Sequence, residues 1–409
     1  MSGLNVLIIG AGVCGPALAC LLRRSSPRHK ITVVERWPTL RAAGQQIDLN
    51  ENGLRILKRM GLLEVIKSKC VEEAGVEVFD SKGKSAGRFG VTPAGETKRG
   101  LTCEYEIMRG DVVQVLYDAS LEQDAKAREE AAGGEGGLTY AFDKTVTNLV
   151  QDDHGANVTF SDGQAERFDL VVAADGLGSR TRKAVFGREA SDAAFSSIGV
   201  HAAYFSIPRV EGEDNLAKAY SAPGRRIVMT RTSGRPITQV ILFTMSDDTG
   251  SLKACYKQPI EKQKQAFAEK FKGAGWETER LLAGMATCED FWSSEVAQIK
   301  MDRLHTGRVV LLGDAGYCPS PFTGMGTECC LIGAYVLAGE LAERAGRSNS
   351  SNSDVVAGAL QAYEEKMRAP VRDLQKLPGM STGLFFPSSR IGVWLLRNLI
   401  WAWLLKDPT

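Results

Sequence analysis

Histidine is scarce in this chain. There are four, at 29, 154, 201 and 305, and none lies close to another. That argues against a histidine-built metal centre or a His-activated nucleophile, and no metal is expected. Charge of one sign is also lacking. Fifty Lys and Arg against 49 Asp and Glu leave a net charge of +1. Such a balance carries no electrostatic footprint for nucleic acid or a polyacid. The nine cysteines show no C-x-x-C spacing, their number is odd, and Cys329 and Cys330 are adjacent. Reduced thiols in a cytoplasmic compartment are expected rather than a disulfide framework. A secretory leader is not read either. Leu4 to Gly10 is short, has no basic lead and runs into a glycine turn instead of a cleavage site. No internal repeat or long low-complexity tract stands out. What remains is an ordinary apolar fraction, 44% of 409 residues, enough for two or three domains and a large core.

The stretch around which the chain is organised is GDAGYCPSPFTGMG, Gly313 to Gly326. Val309 to Leu312 before it reads as a short buried strand, and Thr327 to about Ala345 after it as a helix. Asp314 can accept hydrogen bonds from a chain of hydroxyls. Pro319 and Pro321 stiffen the turn. Gly324 and Gly326 admit a flat or anionic ligand close to backbone N–H groups at a helix start. By itself the stretch also reads as a plain strand–loop–helix connection.

A second motif narrows the choice. Leu4 to Ile9 is a buried-strand run followed by GAGVCG, with Gly10, Gly12 and Gly15 filling G-x-G-x-x-G and Val13 between them. Pro16 to Leu22 continues as a helix, and Ile31 to Val34 is a strand ending at Glu35. In this pattern the first glycine makes the tight turn, the second admits a pyrophosphate and the third lets helix and strand pack. Glu35 accepts from a ribose 2′-hydroxyl and repels a 2′-phosphate, so the resident nucleotide reads as FAD or NAD rather than NADP.

The rest is read in order. RAAGQQIDL carries Gly44, Gln46 and Asp48 as a loop passing the nucleotide into a strand, before a helix pattern through Asn52, Leu54, Leu57 and Met60. Val76 to Phe89 reads as a hairpin. Arg109 precedes a helix from Gly110 to about Ala132, and alone it reads equally as a solvated or structural cation. Leu138 to Phe160 reads as an antiparallel meander, and Leu170 to Gly176 as a buried strand ending in Asp175–Gly176. In GSRTR, Arg180 and Arg182 read either as phosphate contacts or as exposed cations. From about Ser196, long strands separated by Gly, Pro and Ser suggest an antiparallel sheet with one face available to a ligand. Helices at Ile260 to Phe271 and around Thr278 to Gly284 follow. The apolar tail Ile391 to Leu405 makes about 22 Å of helix, too short for a bilayer core of about 30 Å. It reads as a helix packed on both domains, with peripheral membrane contact as the alternative.

Three motifs in fixed order, GAGVCG with Glu35, Asp175–Gly176 and Gly313–Asp314, resemble the single-component (group A) FAD-dependent aromatic hydroxylases, with the fold of para-hydroxybenzoate hydroxylase. GDAGYCPSPFTGMG is similar to the tetracycline-inactivating and secondary-metabolite branch. The resemblance spans about Leu4 to Arg372. It implies an α/β fold: a Rossmann-like FAD-binding domain (1–75, 101–185 and 286–375) interrupted by a mostly antiparallel substrate domain (76–100 and 186–285). A C-terminal helical segment, 376–409, completes it.

For the site, the resemblance implies that Gly10, Gly12, Val13 and Gly15 hold the FAD pyrophosphate and Glu35 the adenosine ribose. Arg36 would lie beside the adenine, and Arg109 near the ribityl–pyrophosphate region. Asp175 would lie near FAD and the path of NADPH, and Asp314 on the ribityl chain. Pro321, Gly324, Met325, Gly326 and Thr327 would lie against the isoalloxazine ring, with backbone N–H groups from Gly324 to Thr327 stabilising charge on it. Tyr317, Met325 and Glu328 depart from the family's usual His, Gln and Asn. Tyr204, Tyr220, Arg226, Met229 and Phe322 are candidates to face substrate or flavin, with plain sheet packing as the alternative for Tyr204, Tyr220 and Met229. The implied activity is insertion of one oxygen from O₂, through a flavin hydroperoxide, into a polycyclic phenol, enol or related metabolite, with NADPH as transient donor. A reductase or dehydrogenase on the same fold, or a non-catalytic FAD protein docking at membranes, are the competing expectations.

Overall fold

The computed structural model describes residues 3–41, 44–91, 104–130, 136–245, 249–346, 351–377 and 382–404. The chain forms two compact units. One comprises Met1–Lys69, Ile107–Ser196 and Gln298–Leu377; the other comprises Cys70–Glu106, Ser197–Ala297 and Pro378–Thr409.

The first unit is built on a six-stranded sheet. Its spatial order is His305–Thr306, Val309–Leu311, Leu170–Ala173, Asn5–Ile9, Lys30–Val34 and Gly137–Ala141. All neighbours run parallel except the short edge strand His305–Thr306. Leu170–Ala173 and Val309–Leu311 are buried at every residue, which is why their sequences are unbroken apolar runs. From Asn5–Ile9 the chain moves outward one way to Lys30–Val34 and Gly137–Ala141, then returns to the other side. The direction therefore reverses between Asn5–Ile9 and Leu170–Ala173. Ligands of such sheets bind outside the carboxyl ends of the strands at this reversal. Gly10 and Glu35 follow directly on those ends, and Asp175 and Asp314 come within three residues of them.

One expected element is corrected. Gly137–Ala141 is not part of an antiparallel meander; it pairs parallel with Lys30–Val34 at the sheet edge. Alternation cannot distinguish a local partner from one a hundred residues earlier. The antiparallel three-stranded sheet consists of Val146–Asp152, Gly155–Phe160 and Ala165–Phe168.

The second unit is a seven-stranded sheet. Its order is Trp292–Ile299, Phe195–Pro208, Ile237–Thr244, Arg226–Arg231, Ala217–Ala222, Val76–Phe79 and Ser85–Phe89. Side chains alternate between its faces. One face carries Phe205, Tyr220, Val228, Val240 and Leu242 into a core shared with Phe267, Phe271, Leu281 and Met285 of the helices Ile260–Phe271 and Thr278–Thr287. The opposite face carries Tyr204, Met229, Ile241 and Phe243. Tyr204 and Met229 both stand opposite Ile241, and Tyr204 meets Phe243 edge-on at 6.1 Å between ring centroids.

His29 lies buried just before the strand Lys30–Val34, where its Nδ1 accepts from the Leu4 N–H at 3.0 Å. Burial, with Arg23 nearby, pulls its pKa down to about 4. The unfolded ring titrates near ~6.5, so the folded state binds fewer protons between those values. The neutral ring's contribution is complete above about pH 6.5 and is lost as pH falls toward 4, up to about 3 kcal/mol. His29→Gln, which keeps an acceptor, should flatten the acid limb of the urea-unfolding profile between pH 6.5 and 4. An unchanged limb would remove His29 as its cause.

Candidate functional site

Two glycines in the first turn have different tasks. A Cβ on Gly15 would lie 2.1 Å from the Gly10 carbonyl oxygen. Gly15 therefore lets the helix Cys14–Ser25 sit directly on the end of the first strand. A Cβ on Gly12 would meet only the Arg109 guanidinium, at 3.4 Å. Gly12 borders open space beside a helix start, which favours an anion. Val13 is the residue preceding that helix and is buried. Glu35 closes the turn: its Oε2 accepts from the Ala11 N–H at 2.9 Å, and its Oε1 from the Trp37 N–H at 3.2 Å. The carboxylate is thereby held at the turn, where a ribose would lie. Arg36 and Arg41 place their guanidinium groups 5.5 and 5.6 Å from the centroid of the Trp37 ring.

Arg109 is the first residue of the helix Arg109–Glu130. Its N–H donates to the Gln45 carbonyl, and its aliphatic stem lies against Gly44. That contact brings the loop carrying Gly44 and the buried Gln46 to the glycine turn and puts a fixed cation at its mouth.

Asp314 opens the short helical turn Asp314–Tyr317 after Val309–Leu311. Burial raises its carboxyl pKa, against the lowering effects of the Cys318 thiol and Arg109. Its Oδ1 is buried, and no donor among the described residues reaches it. A buried carboxylate oxygen without a donor is costly, and hydroxyls of a ligand would satisfy it. With the open cradle at Gly12 and the cation at Arg109, this chemistry fits the ribityl and pyrophosphate groups of FAD.

The turn that follows corrects one expectation. The Gly324 N–H donates to the Pro321 carbonyl, and the Met325 N–H to Thr323 Oγ1 at 3.2 Å. Both are spent inside the turn, in which Gly324 has φ +65° and Pro321 and Phe322 belong to a single 3₁₀ turn. The N–H groups left without a partner inside the helix start at Gly326 and Thr327, the first residues of the helix Gly326–Ala345. The turn is clamped by two side chains that no motif announced. Asn50 Nδ2 donates to the Gly324 carbonyl at 3.2 Å, and Asn52 Nδ2 to Glu328 Oε1 at 2.6 Å. Asp48 Oδ2 lies 3.3 Å from the Cβ position of Gly324.

Other candidates turn inward. Asp175 accepts from the Ser179 hydroxyl and from the N–H and hydroxyl of Thr181, so it holds the first turn of the helix Arg180–Val185, whose N-cap is Ser179. Arg182 is neither exposed nor aimed at phosphate. It is buried and donates to the Ala315 and Leu177 carbonyls and the Ser191 hydroxyl, fastening the turn that carries Asp314. Tyr317, which stands where the family often has His, is fully buried, with its hydroxyl 2.8 Å from that of Tyr363. In the second unit, Tyr220 and Arg226 lie on the helix-covered face. The Tyr220 hydroxyl donates to the Ala274 carbonyl at 2.7 Å. Arg226 donates to the Pro223, Lys270 and Lys272 carbonyls. Alternation puts them there, and the sequence alone did not say which parity faced the helices. Of the four sheet candidates, only Tyr204 and Met229 share the other face.

The two glycines predict different failures. Gly12→Ala should leave unfolding of the FAD-free chain unchanged yet lower FAD retention, read as the ratio of 450 to 280 nm absorbance after gel filtration. Gly15→Ala should destabilise the FAD-free chain itself. Asp314→Ala should weaken FAD binding about 10- to 100-fold, from a charged hydrogen bond worth about 1.5–3 kcal/mol. Full flavin content in both Gly12→Ala and Asp314→Ala would refute the assignment of the cradle.

Comparison with known proteins agrees with this geometry. A family model described as an FAD binding domain matches residues 3–373. The chain is 40% identical to the FAD-dependent monooxygenase asL6 of Sarocladium schorii, over 95% of this chain and 90% of that protein. It is 32% identical to the monooxygenase CTB7 of Cercospora beticola, over 97% and 91%. Among solved structures it superposes on the tetracycline destructase Tet(51) with a TM-score of 0.77 and 27% identity, over 98% and 96% of the two chains. It shares its fold with HpxO of Klebsiella pneumoniae crystallised with FAD and uric acid, at a TM-score of 0.64, 19% identity and coverage of 97% and 93%. These relatives decide for oxygen insertion over the reductase and non-catalytic readings. The chain belongs to the FAD-binding-domain family and is an FAD-dependent monooxygenase.

Proposed function

We propose that this enzyme inserts one oxygen atom of O₂ into a polycyclic phenol, enol or related secondary metabolite, with NADPH as transient electron donor. The observation that carries the substrate class is the sheet face opposite the helices. There Tyr204, Met229, Ile241 and Phe243 offer aromatic, thioether and aliphatic surface suited to a flat apolar body. The names of the relatives point the same way: one solved neighbour is a tetracycline destructase, and asL6 and CTB7 are both named monooxygenases. Use of NADPH rests on the sequence, which carries one G-x-G-x-x-G unit, and that unit with Glu35 suits FAD. The nicotinamide donor then has to visit and leave. A reducing, cytoplasmic setting agrees with the free thiols of the eight described cysteines.

The bound flavin, once reduced, supplies the reaction with O₂; the chain's own residues do the rest. Asp314 and Glu35 accept hydrogen bonds from the ligand's hydroxyls and set its position along the strand ends. Arg109 balances pyrophosphate charge. The helix-start N–H groups of Gly326 and Thr327 donate toward negative charge on the ring; fixed donors of this kind are typically worth about 3 kcal/mol at a barrier. The face bearing Tyr204 and Met229 orients the substrate and keeps water from it.

Against a panel of polycyclic phenols and enols, substrate-stimulated NADPH oxidation should accompany a product heavier by one oxygen. A dehydrogenated product without added oxygen would overturn the reading. Tyr204→Ala and Met229→Ala should raise KM about tenfold, from about 1–2 kcal/mol of lost contact. Arg226→Ala, on the other face, should lower Tm and leave KM unchanged. The reverse pattern would move the substrate off this face.

A further inference from the structure

We infer that the outer face of the C-terminal helix Arg390–Leu404 is a docking surface for an anionic lipid bilayer. Within the second unit the inner side of this segment is fastened to the protein. The Gly224 and Arg225 N–H groups donate to the Ser388 and Pro387 carbonyls, and Arg397 lies 3.9 Å from Asp80. The outer side is apolar and in water. Ile391 is 72% exposed, Trp394 54% and Leu395 49%, and Leu384 is 58% exposed on the turn just before. Positions 391, 394 and 395, with exposed Asn398, recur at helical spacing and form one face. The Asn398 side chain donates back to the Trp394 carbonyl at 2.7 Å, so its amide is partly satisfied within the helix. The sequence continues with Trp401 and Trp403, a residue type enriched at membrane interfaces.

The surrounding charge selects the occupant. From Leu384 to Lys406 the sequence holds Arg390, Arg397 and Lys406 and no Asp or Glu. Next to it the hairpin turn exposes Lys82 and Lys84, and Lys272 is exposed where Arg226 reaches its carbonyl. Asp80, on that hairpin turn, is engaged by Arg397 and by the N–H groups of Lys82 and Lys84, and one further acid, Asp407, follows Lys406 in the sequence. Apolar side chains rimmed by cations match a bilayer with negative headgroups, where each Lys or Arg contributes about 1 kcal/mol. A second copy of the chain suits the face poorly, because a two-fold contact would set like charges against one another. No helix among the described residues is long and apolar enough to cross a membrane, so this helix lies along the surface.

The test uses the full-length, FAD-loaded enzyme and sedimentation with vesicles. Vesicles of phosphatidylcholine with about one-third phosphatidylglycerol should bind it at least tenfold more tightly than phosphatidylcholine alone. Binding should weaken as salt screens the charges. Tryptophan emission should shift to the blue on binding. The triple substitution Ile391→Glu, Trp394→Glu and Leu395→Glu should abolish sedimentation while leaving flavin content and Tm unchanged, because all three side chains face solvent. Absence of vesicle binding, equal binding to both lipids, or undiminished binding by the triple variant would overturn the inference. So would a concentration-dependent dimer of the parent enzyme that the triple variant lacks, which would assign the face to a second copy.

Discussion

The first unit depends on one close approach. The helix Cys14–Ser25 rests on the carboxyl end of the strand Asn5–Ile9 because Gly15 has no side chain to hold it off the Gly10 carbonyl. That contact places a helix start at the point where the strand order reverses, the place such sheets reserve for ligands. The remaining pieces assemble around it. Glu35 ties the next strand end to the turn through Ala11. Arg109 brings a loop and a cation to its mouth. Arg182 fastens the distant turn that carries Asp314. Glu35 and Arg182 act through side-chain hydrogen bonds to backbone groups, and Arg109 through its backbone N–H and its aliphatic stem.

Burial of charge is used in two ways. Arg182 is buried with carbonyl and hydroxyl partners for Nε, Nη1 and Nη2, and it serves architecture. Asp314 is buried with Oδ1 lacking any donor among the described residues, and this incompleteness suits a hydroxyl-rich ligand. The same distinction separates the candidates on the second unit's sheet. Tyr220 and Arg226 find backbone carbonyls on the helix side, whereas Tyr204 and Met229 lie across from Ile241 on the other face.

Much of the cradle was legible in the chain because its parts are local. A strand, a glycine turn, a helix and an acid twenty residues on constitute one unit whose geometry follows from spacing. The Asp314 turn was legible for the same reason. Asn50 and Asn52 were not, because their partners, Gly324 and Glu328, lie far away in sequence. The inward turn of Tyr317 depends on Tyr363 in another helix, and no local pattern reports such a contact.

The sequence by itself determined the strand–turn–helix units and the positions of the glycines and acids at strand ends. These follow from backbone freedom, apolar periodicity and composition, which act over a few residues. Only tertiary structure decided that Gly137–Ala141 joins the parallel sheet, that Arg182 is a buried tie, that the Gly324 and Met325 N–H groups are spent within their turn, and which parity of each long strand faces the helices. Those outcomes turn on which distant group comes within hydrogen-bonding or packing distance, and the one-dimensional pattern contains no term for it.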